Sequence, residues 1–120
     1  MDKSFSVMTL PSDYSEMESY IQKNKVKLMQ QIVLSVQHAL DNNYPSIEVF
    51  TFQRSDFIVI LNRSNFKDNI DNIYEYYIAA EQYEYCDRLV KLKKQIEQHE
   101  QHEQKQKERH ESKSSPKRKN

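Results

Sequence analysis

The side chains of this chain that could perform chemistry are a few histidines and a single cysteine. His99, His102 and His110 fall on one side of a helix if helical structure continues through them. From His99, three residues turn about 300°, which is about 60° short of a full turn, and eleven residues turn about 1100°, which is about 20° past three full turns. Together with Glu103 they could bind a divalent metal. Nothing in the pattern would orient their imidazoles, so a solvated Glu, Gln and His face is the favoured interpretation, and we predict no metal site.

Cys86 could act as a nucleophile only with a base beside it, and no histidine lies near it in the sequence. Its acidic neighbour Asp87 would also disfavour a thiolate. Because free cysteines are commonly buried, we interpret Cys86 as a core residue. A lone cysteine permits no internal disulfide and no CxxC motif, which is typical of a cytoplasmic protein.

Glycine is absent from all 120 residues. Phosphate-binding loops, dinucleotide-binding turns, nucleophile elbows and EF-hand loops all need glycine for positive φ or close backbone approach. We therefore predict no catalytic residue, no cofactor and no enzymatic activity. Where the backbone needs a left-handed residue, asparagine should serve, as in the DNN of residues 41–43.

The elements that must carry any function follow from hydrophobic spacing. An apolar stripe predicts a helix from Ser15 to about Asp41, and its opposite face is rich in Lys and Gln. The stripe is weak at residues 23–25, so two shorter helices are an alternative to one long helix. Residues 47–52 and 57–61 predict a β-hairpin. Residues 66–98 predict either one long helix, with Ser64 or Asn65 as its N-cap, or two helices that fold back at 81–83.

These elements predict an α+β fold, a small αββα domain over residues 1–98 with a tail over residues 99–120. The domain carries 11 basic and 14 acidic residues, a net charge of −3, whereas the tail carries 7 and 4, a net charge of +3. The tail has almost no apolar residue to bury, so we expect it to be disordered or partly helical.

No apolar run approaches the roughly 20 residues that cross a bilayer, and the first residues lack the pattern of a signal peptide. We therefore expect a cytoplasmic protein without membrane contact. A composition rich in Asn, Lys, Tyr and Ile would suit a bacterial virus or its host.

Tyrosines and acidic residues are concentrated in residues 71–87. Tyrosine is favoured at interfaces, and acidic groups attract a basic partner. We predict a non-enzymatic protein-interaction, adaptor or regulatory protein, whose partner is basic or offers a hydrophobic groove. The predicted contact residues are Tyr76, Tyr83, Glu75, Glu81 and Glu84. The alternative is that these tyrosines only extend from a small core.

Residues 79–96, AAEQYEYCDRLVKLKKQI, resemble the UVR motif, a short helical hairpin of bacterial excision-repair subunits and some protease adaptors. The small pair Ala79 and Ala80, and the aromatic-Glu step Tyr83 and Glu84, correspond to that motif. Its Arg-Asp step is missing, because Val90 and Lys91 stand there. The resemblance implies a protein-docking hairpin.

The hairpin and the last helix predict a homodimer. The run FIVIL is apolar on both faces and the hairpin exposes two edges, so hairpins of two copies could pair. The predicted self-association stripe of the last helix has the spacing of a short coiled coil and consists of Tyr85, Leu89, Leu92 and Ile96. Alternatively, the helices clasp the hairpin within one chain, or a different protein fills the gap.

The basic end of the tail supports a second function, an accessory nucleic-acid-binding protein. The four cations Lys113, Lys117, Arg118 and Lys119 could contact phosphates with salt-sensitive, sequence-independent affinity. No aromatic residue lies among them to stack on bases. The alternative is a tail that only favours solubility.

Overall fold

The described residues form four helices and a three-stranded sheet. The structure is a computed structural model that describes residues 6–114, with side chains described for residues 6–102. In chain order the elements are β1 (Met8–Leu10), α1 (Tyr14–Lys23), α2 (Lys25–Asp41), β2 (Ser46–Phe52), β3 (Ile58–Asn62), α3 (Arg63–Ala79) and α4 (Tyr83–Ser114). The predicted α+β class and αββα order are confirmed, and β1 is an addition.

The first helical region consists of two helices, which was the second of the two alternatives. Asp13, rather than Ser15, caps α1, and its Oδ2 accepts a hydrogen bond from the backbone of Glu16 at 3.2 Å. The break lies at Asn24, whose side-chain amide donates to the Tyr20 carbonyl at 2.9 Å. No side chain of α1 is buried, whereas α2 contributes a continuous buried face. The main core cluster therefore begins with α2, and Leu10 of β1 is buried outside that cluster.

The sheet has the order β1-β2-β3. The predicted hairpin is present, with β2 and β3 antiparallel and a bulge between Glu48 and Phe50. The third strand, β1, pairs in parallel with the end of β2, so that Leu10 lies beside Phe52. The prediction that the hairpin exposes two edges is therefore corrected in part, because β1 covers the outer edge of β2 at residues 50–52.

The core lies between β2 and the helices α2, α3 and α4. Its buried residues form one cluster, and all of them come from these four elements, namely Met29, Val33, Val36, Ala39, Leu40, Ile47, Val49, Phe66, Ile70, Ile73, Tyr77, Cys86, Leu89, Leu92 and Ile96. Burial at this scale is the main favourable contribution to folding.

The second helical region folds back at residues 80–82, so the hairpin alternative is confirmed. Helix α3 begins after its N-cap Asn62, whose backbone N–H donates to Asn65 Oδ1 at 3.3 Å. This N-cap lies two residues before Ser64 and three before Asn65, the two predicted caps. Between α3 and α4, Lys93 Nζ lies 2.9 Å from Asp71 Oδ1. That hydrogen bond raises the pKa of Lys93. Helix α4 continues without interruption past residue 99 to Ser114.

The chain has no glycine, and within residues 6–114 three residues adopt positive φ, namely Asn43, Arg54 and Glu81. Asn43 lies at the predicted helix end, whereas the other two were not anticipated. Glu81 forms a Schellman C-cap of α3, because its N–H donates to the Ile78 carbonyl at 3.0 Å and the Gln82 N–H donates to the Tyr77 carbonyl at 2.9 Å.

Replacing Glu81 by glycine should stabilise the fold by about 0.5–1 kcal/mol. Glycine removes the energetic cost of the left-handed backbone conformation, and this gain exceeds the loss that comes from the greater entropy of glycine in the unfolded chain. The measurement is the free energy of unfolding in urea. The control variant Glu75→Gly lies inside α3 and should instead destabilise by about 1 kcal/mol. Equal losses in both variants would contradict the capping role of Glu81.

Candidate protein-interaction surfaces

Among the residues of the helical hairpin whose side chains are described, the longest exposed run lies at the turn between α3 and α4. All seven residues from 78 to 84, here called the hairpin tip, are exposed. Tyr83 is 63% exposed at the first position of α4. The predicted contact residues Glu81 and Glu84 lie on the same tip. The tip therefore brings together three of the five predicted contact residues.

The other two predicted contact residues lie further along α3. Glu75 is exposed, whereas Tyr76 is only partly exposed and packs against the core. Lys25 of α2 lies over the Tyr76 ring, with its Nζ 5.0 Å from the ring centroid. Tyr76 also meets Tyr77 edge to face at 5.4 Å. One face of Tyr76 is thus already used within the chain.

The structure places the predicted self-association stripe in the core. Leu89, Leu92 and Ile96 are buried in the cluster shared with α2 and α3. Tyr85 is half-buried, and its ring centroid lies 4.4 Å from that of Tyr77. Desolvation by burial raises the pKa of the Tyr85 hydroxyl. The stripe is occupied within one chain, so another copy could reach it only if the core opened.

The chemically reactive side chains are not assembled into a site in the described part of the chain. Cys86 is buried, as interpreted from the sequence. Within the residues whose side chains are described, no three His, Cys, Asp or Glu side chains are grouped to hold a metal. Glu103 and His110 of the hypothetical metal set lie outside those residues.

The basic end of the tail lies outside what the structure describes. The backbone of Lys113 belongs to the last turn of α4, but its side chain is not described. Lys117, Arg118 and Lys119 lie beyond the described residues. Their predicted role in nucleic-acid binding stays a prediction.

Strand β3 forms a second candidate surface, and it contains most of the apolar run FIVIL that was predicted to pair with a second copy. It lies at the edge of the sheet, and four successive apolar residues on or beside it are exposed: Phe57 (77%), Ile58 (44%), Val59 (36%) and Ile60 (49%). The sequence signal was the uninterrupted apolar run of residues 57–61. It was interpreted as a strand that needs cover, and the structure leaves it largely uncovered.

The strand pairing identifies the face of the sheet on which these side chains lie. Ile60 is paired with Glu48, which is exposed between two buried neighbours on β2. Side chains alternate between faces along a strand, so Ile58 and Ile60 share the face that the helices do not cover. A shallow groove on this face is lined in part by Val7, Tyr44 and Ile60.

Comparisons with protein-family models, with curated proteins and with solved structures gave no match. The candidate surfaces are therefore interpreted from their own geometry. Across residues 6–114, no helix combines the length and the apolar character needed to cross a membrane.

Proposed function

We propose that this chain is a non-enzymatic protein-interaction or regulatory protein that docks a partner protein on its hairpin tip. The observation that carries the proposal is the exposure of seven consecutive residues, 78–84, at one end of the helical hairpin. An exposed tyrosine between glutamates offers both apolar area and charge to a partner.

The chemistry of the tip indicates what kind of partner would bind. Glu81, Glu84 and Asp87 are exposed on and beside the tip. Two cations lie near them, Arg88 and Lys91, and Lys91 Nζ is 3.4 Å from Asp87 Oδ2. The local charge is therefore negative, and it would attract a basic surface and repel nucleic acid. The ring of Tyr83 would insert into an apolar groove of the same partner.

The packing below the tip would reduce the entropic cost of binding. Tyr77 and Cys86 are buried on the two sides of the turn, and the Cys86 N–H donates to the Gln82 carbonyl at 3.2 Å. A turn held in one conformation loses less freedom when a partner binds. The tip therefore has the character of a preorganised docking surface.

The resemblance of residues 79–96 to the UVR motif adds support. The four residues that carry its first half, Ala79, Ala80, Tyr83 and Glu84, are all exposed on the tip. In that family the motif implies docking of another protein. A chain with one cysteine and no glycine-dependent loop suits such a role in the cytoplasm.

The proposal is tested by capturing partners from extracts of the source cell with the full-length chain as bait. The tip variant Tyr83→Ala/Glu84→Lys is compared with the control variant Tyr14→Ala/Glu18→Lys, which makes the same changes at exposed positions of α1. We expect the wild type and the control to bind the same basic protein, with an affinity at least about tenfold higher than that of the tip variant.

Equal binding by the tip variant would show that the tip is not the docking surface. A different result would favour the nucleic-acid alternative: binding to unrelated DNA or RNA that weakens with salt and disappears on truncation after Glu111. The two functions are thus separated by which variant loses its ligand.

A further inference from the structure

The outer edge of β3 lacks the features that usually protect an edge strand. Natural edges are blunted by charged side chains, proline, bulges, shortness or a covering element. Residues 57–61 contain neither charge nor proline, and within the described residues no strand pairs with the outer edge of β3. By contrast, the opposite edge strand β1 has three residues and is followed by Pro11. The two edges of the sheet are therefore not equivalent.

We propose that β3 pairs antiparallel with β3 of a second copy of this chain, centred on Val59. In this register Val59 faces its counterpart once, and the pairs Ile58–Ile60 and Phe57–Leu61 each occur twice. The result is a continuous six-stranded sheet in which β3 is no longer an edge. The inference concerns a surface separate from the hairpin tip and does not rest on the proposed function.

Self-complementarity is the reason to assign a second copy to this edge. Every residue of the run 57–61 then faces an apolar residue, and apolar cross-strand pairs stabilise a sheet. Shifting the centre to Ile60 would place Ile58 opposite Asn62 and Phe57 opposite Arg63. The register centred on Val59 therefore pairs every apolar residue of the run 57–61 with an apolar residue of the other copy, which the shifted register does not.

The charge at the start of the run favours the antiparallel direction. Asp56 precedes the run. In-register parallel pairing would place Asp56 beside its own counterpart, whereas the antiparallel register places it opposite the neutral Asn62 of the other copy. Like charges directly opposite each other destabilise a sheet.

The same arrangement would cover the exposed apolar face. With the helices of both copies on one side of the joined sheet, Ile58 and Ile60 of the two copies form one four-residue cluster on the other side. Tyr44, exposed beside the groove that Ile60 lines, borders this cluster. Stable interfaces usually bury about 1,200–2,000 Å², more than two five-residue strands bury by pairing, so the dimer should dissociate on dilution through the micromolar range.

Sedimentation velocity of the full-length chain over a range of concentrations tests the proposal. The wild type should shift from monomer toward dimer as concentration rises. The variant Ile58→Lys/Ile60→Lys places like charges opposite each other, and its dissociation constant should rise at least tenfold. The variant Ile58→Lys/Ile60→Glu pairs each new lysine with the new glutamate of the other copy, and it should dimerise more tightly than the double-lysine variant.

The control Ile21→Lys changes an exposed isoleucine of α1 and should leave the dimer unchanged. Since the altered side chains are exposed, all variants should keep the circular dichroism spectrum of the wild type. In the wild type itself, hydrogen-exchange protection of the amides of 57–61 should increase with protein concentration. A wild type that stays monomeric, or a double-lysine variant that dimerises as the wild type does, would overturn the proposal.

Discussion

Replacing Leu89 by alanine should lower the free energy of unfolding by about 2–5 kcal/mol. Leu89 is completely buried where α4 packs against α3 and α2. The substitution removes methyl groups from a filled core and leaves a cavity that neighbouring side chains can close only in part. The loss should appear as a lower midpoint of urea unfolding, and it should be the same at low and high protein concentration.

The control Lys91→Ala lies on the opposite side of the same helix. Lys91 Nζ lies 3.4 Å from Asp87 Oδ2, and the side chains of both residues are exposed. Exposed pairs of this kind contribute roughly 0–1 kcal/mol, so this variant should unfold close to the wild type. If Leu89→Ala instead weakened a dimer and left the stability of the monomer unchanged, the stripe would be an interface between copies, as the coiled-coil spacing had suggested.

The helices and the hairpin were predictable because their signals are local. The interruption of the apolar stripe at Glu81 and Gln82 marked the place where the second helical region folds back. The weak positions around Asn24 marked the break between α1 and α2. Periodicity of this kind depends on a few neighbouring residues, and a single sequence contains it.

Strand β1 could not be found in this way. Its three residues, Met8–Leu10, pair with β2 across about forty positions of the chain. Three residues are too few to establish an alternation, so the pairing has no local signal. The positive φ of Arg54 and Glu81 was also unexpected, since arginine and glutamate are not typical of that conformation.

The sequence identified which faces are apolar but not what each face contacts. The stripe of Leu89, Leu92 and Ile96 has spacing that suits a core and a coiled coil equally, and the structure places it in the core. The run 57–61 was interpreted as needing cover, yet residues 57–60 remain exposed and only Leu61 packs against the core. The exposed tip residues Tyr83, Glu81 and Glu84 were anticipated, because their charges and their position beside the predicted turn both favour exposure.

The burial of Gln31 was not anticipated from the sequence. This residue belongs to the Lys and Gln rich face opposite the predicted apolar stripe, and it is buried between α2 and the sheet. Its Nε2 donates to the carbonyl of Ser6 at 2.8 Å and to that of Val49 at 3.2 Å. Val49 occupies the bulge of β2, where it has no partner in the β3 register. One side chain therefore connects α2 to β2 and to the segment that leads into β1.

Replacing Gln31 by leucine should lower the free energy of unfolding by about 1–3 kcal/mol, because leucine keeps most of the volume but leaves the buried Val49 carbonyl without that donor. The loss of the bond to Ser6 should also loosen β1, so the amides of Thr9 and Leu10 should exchange hydrogen faster than in the wild type. The control Gln22→Leu makes the same change at an exposed position of α1 and should alter neither measurement by much. If Gln31→Leu unfolded like the wild type and β1 kept its protection, apolar packing alone would hold the sheet against α2, and the two hydrogen bonds would add little to it.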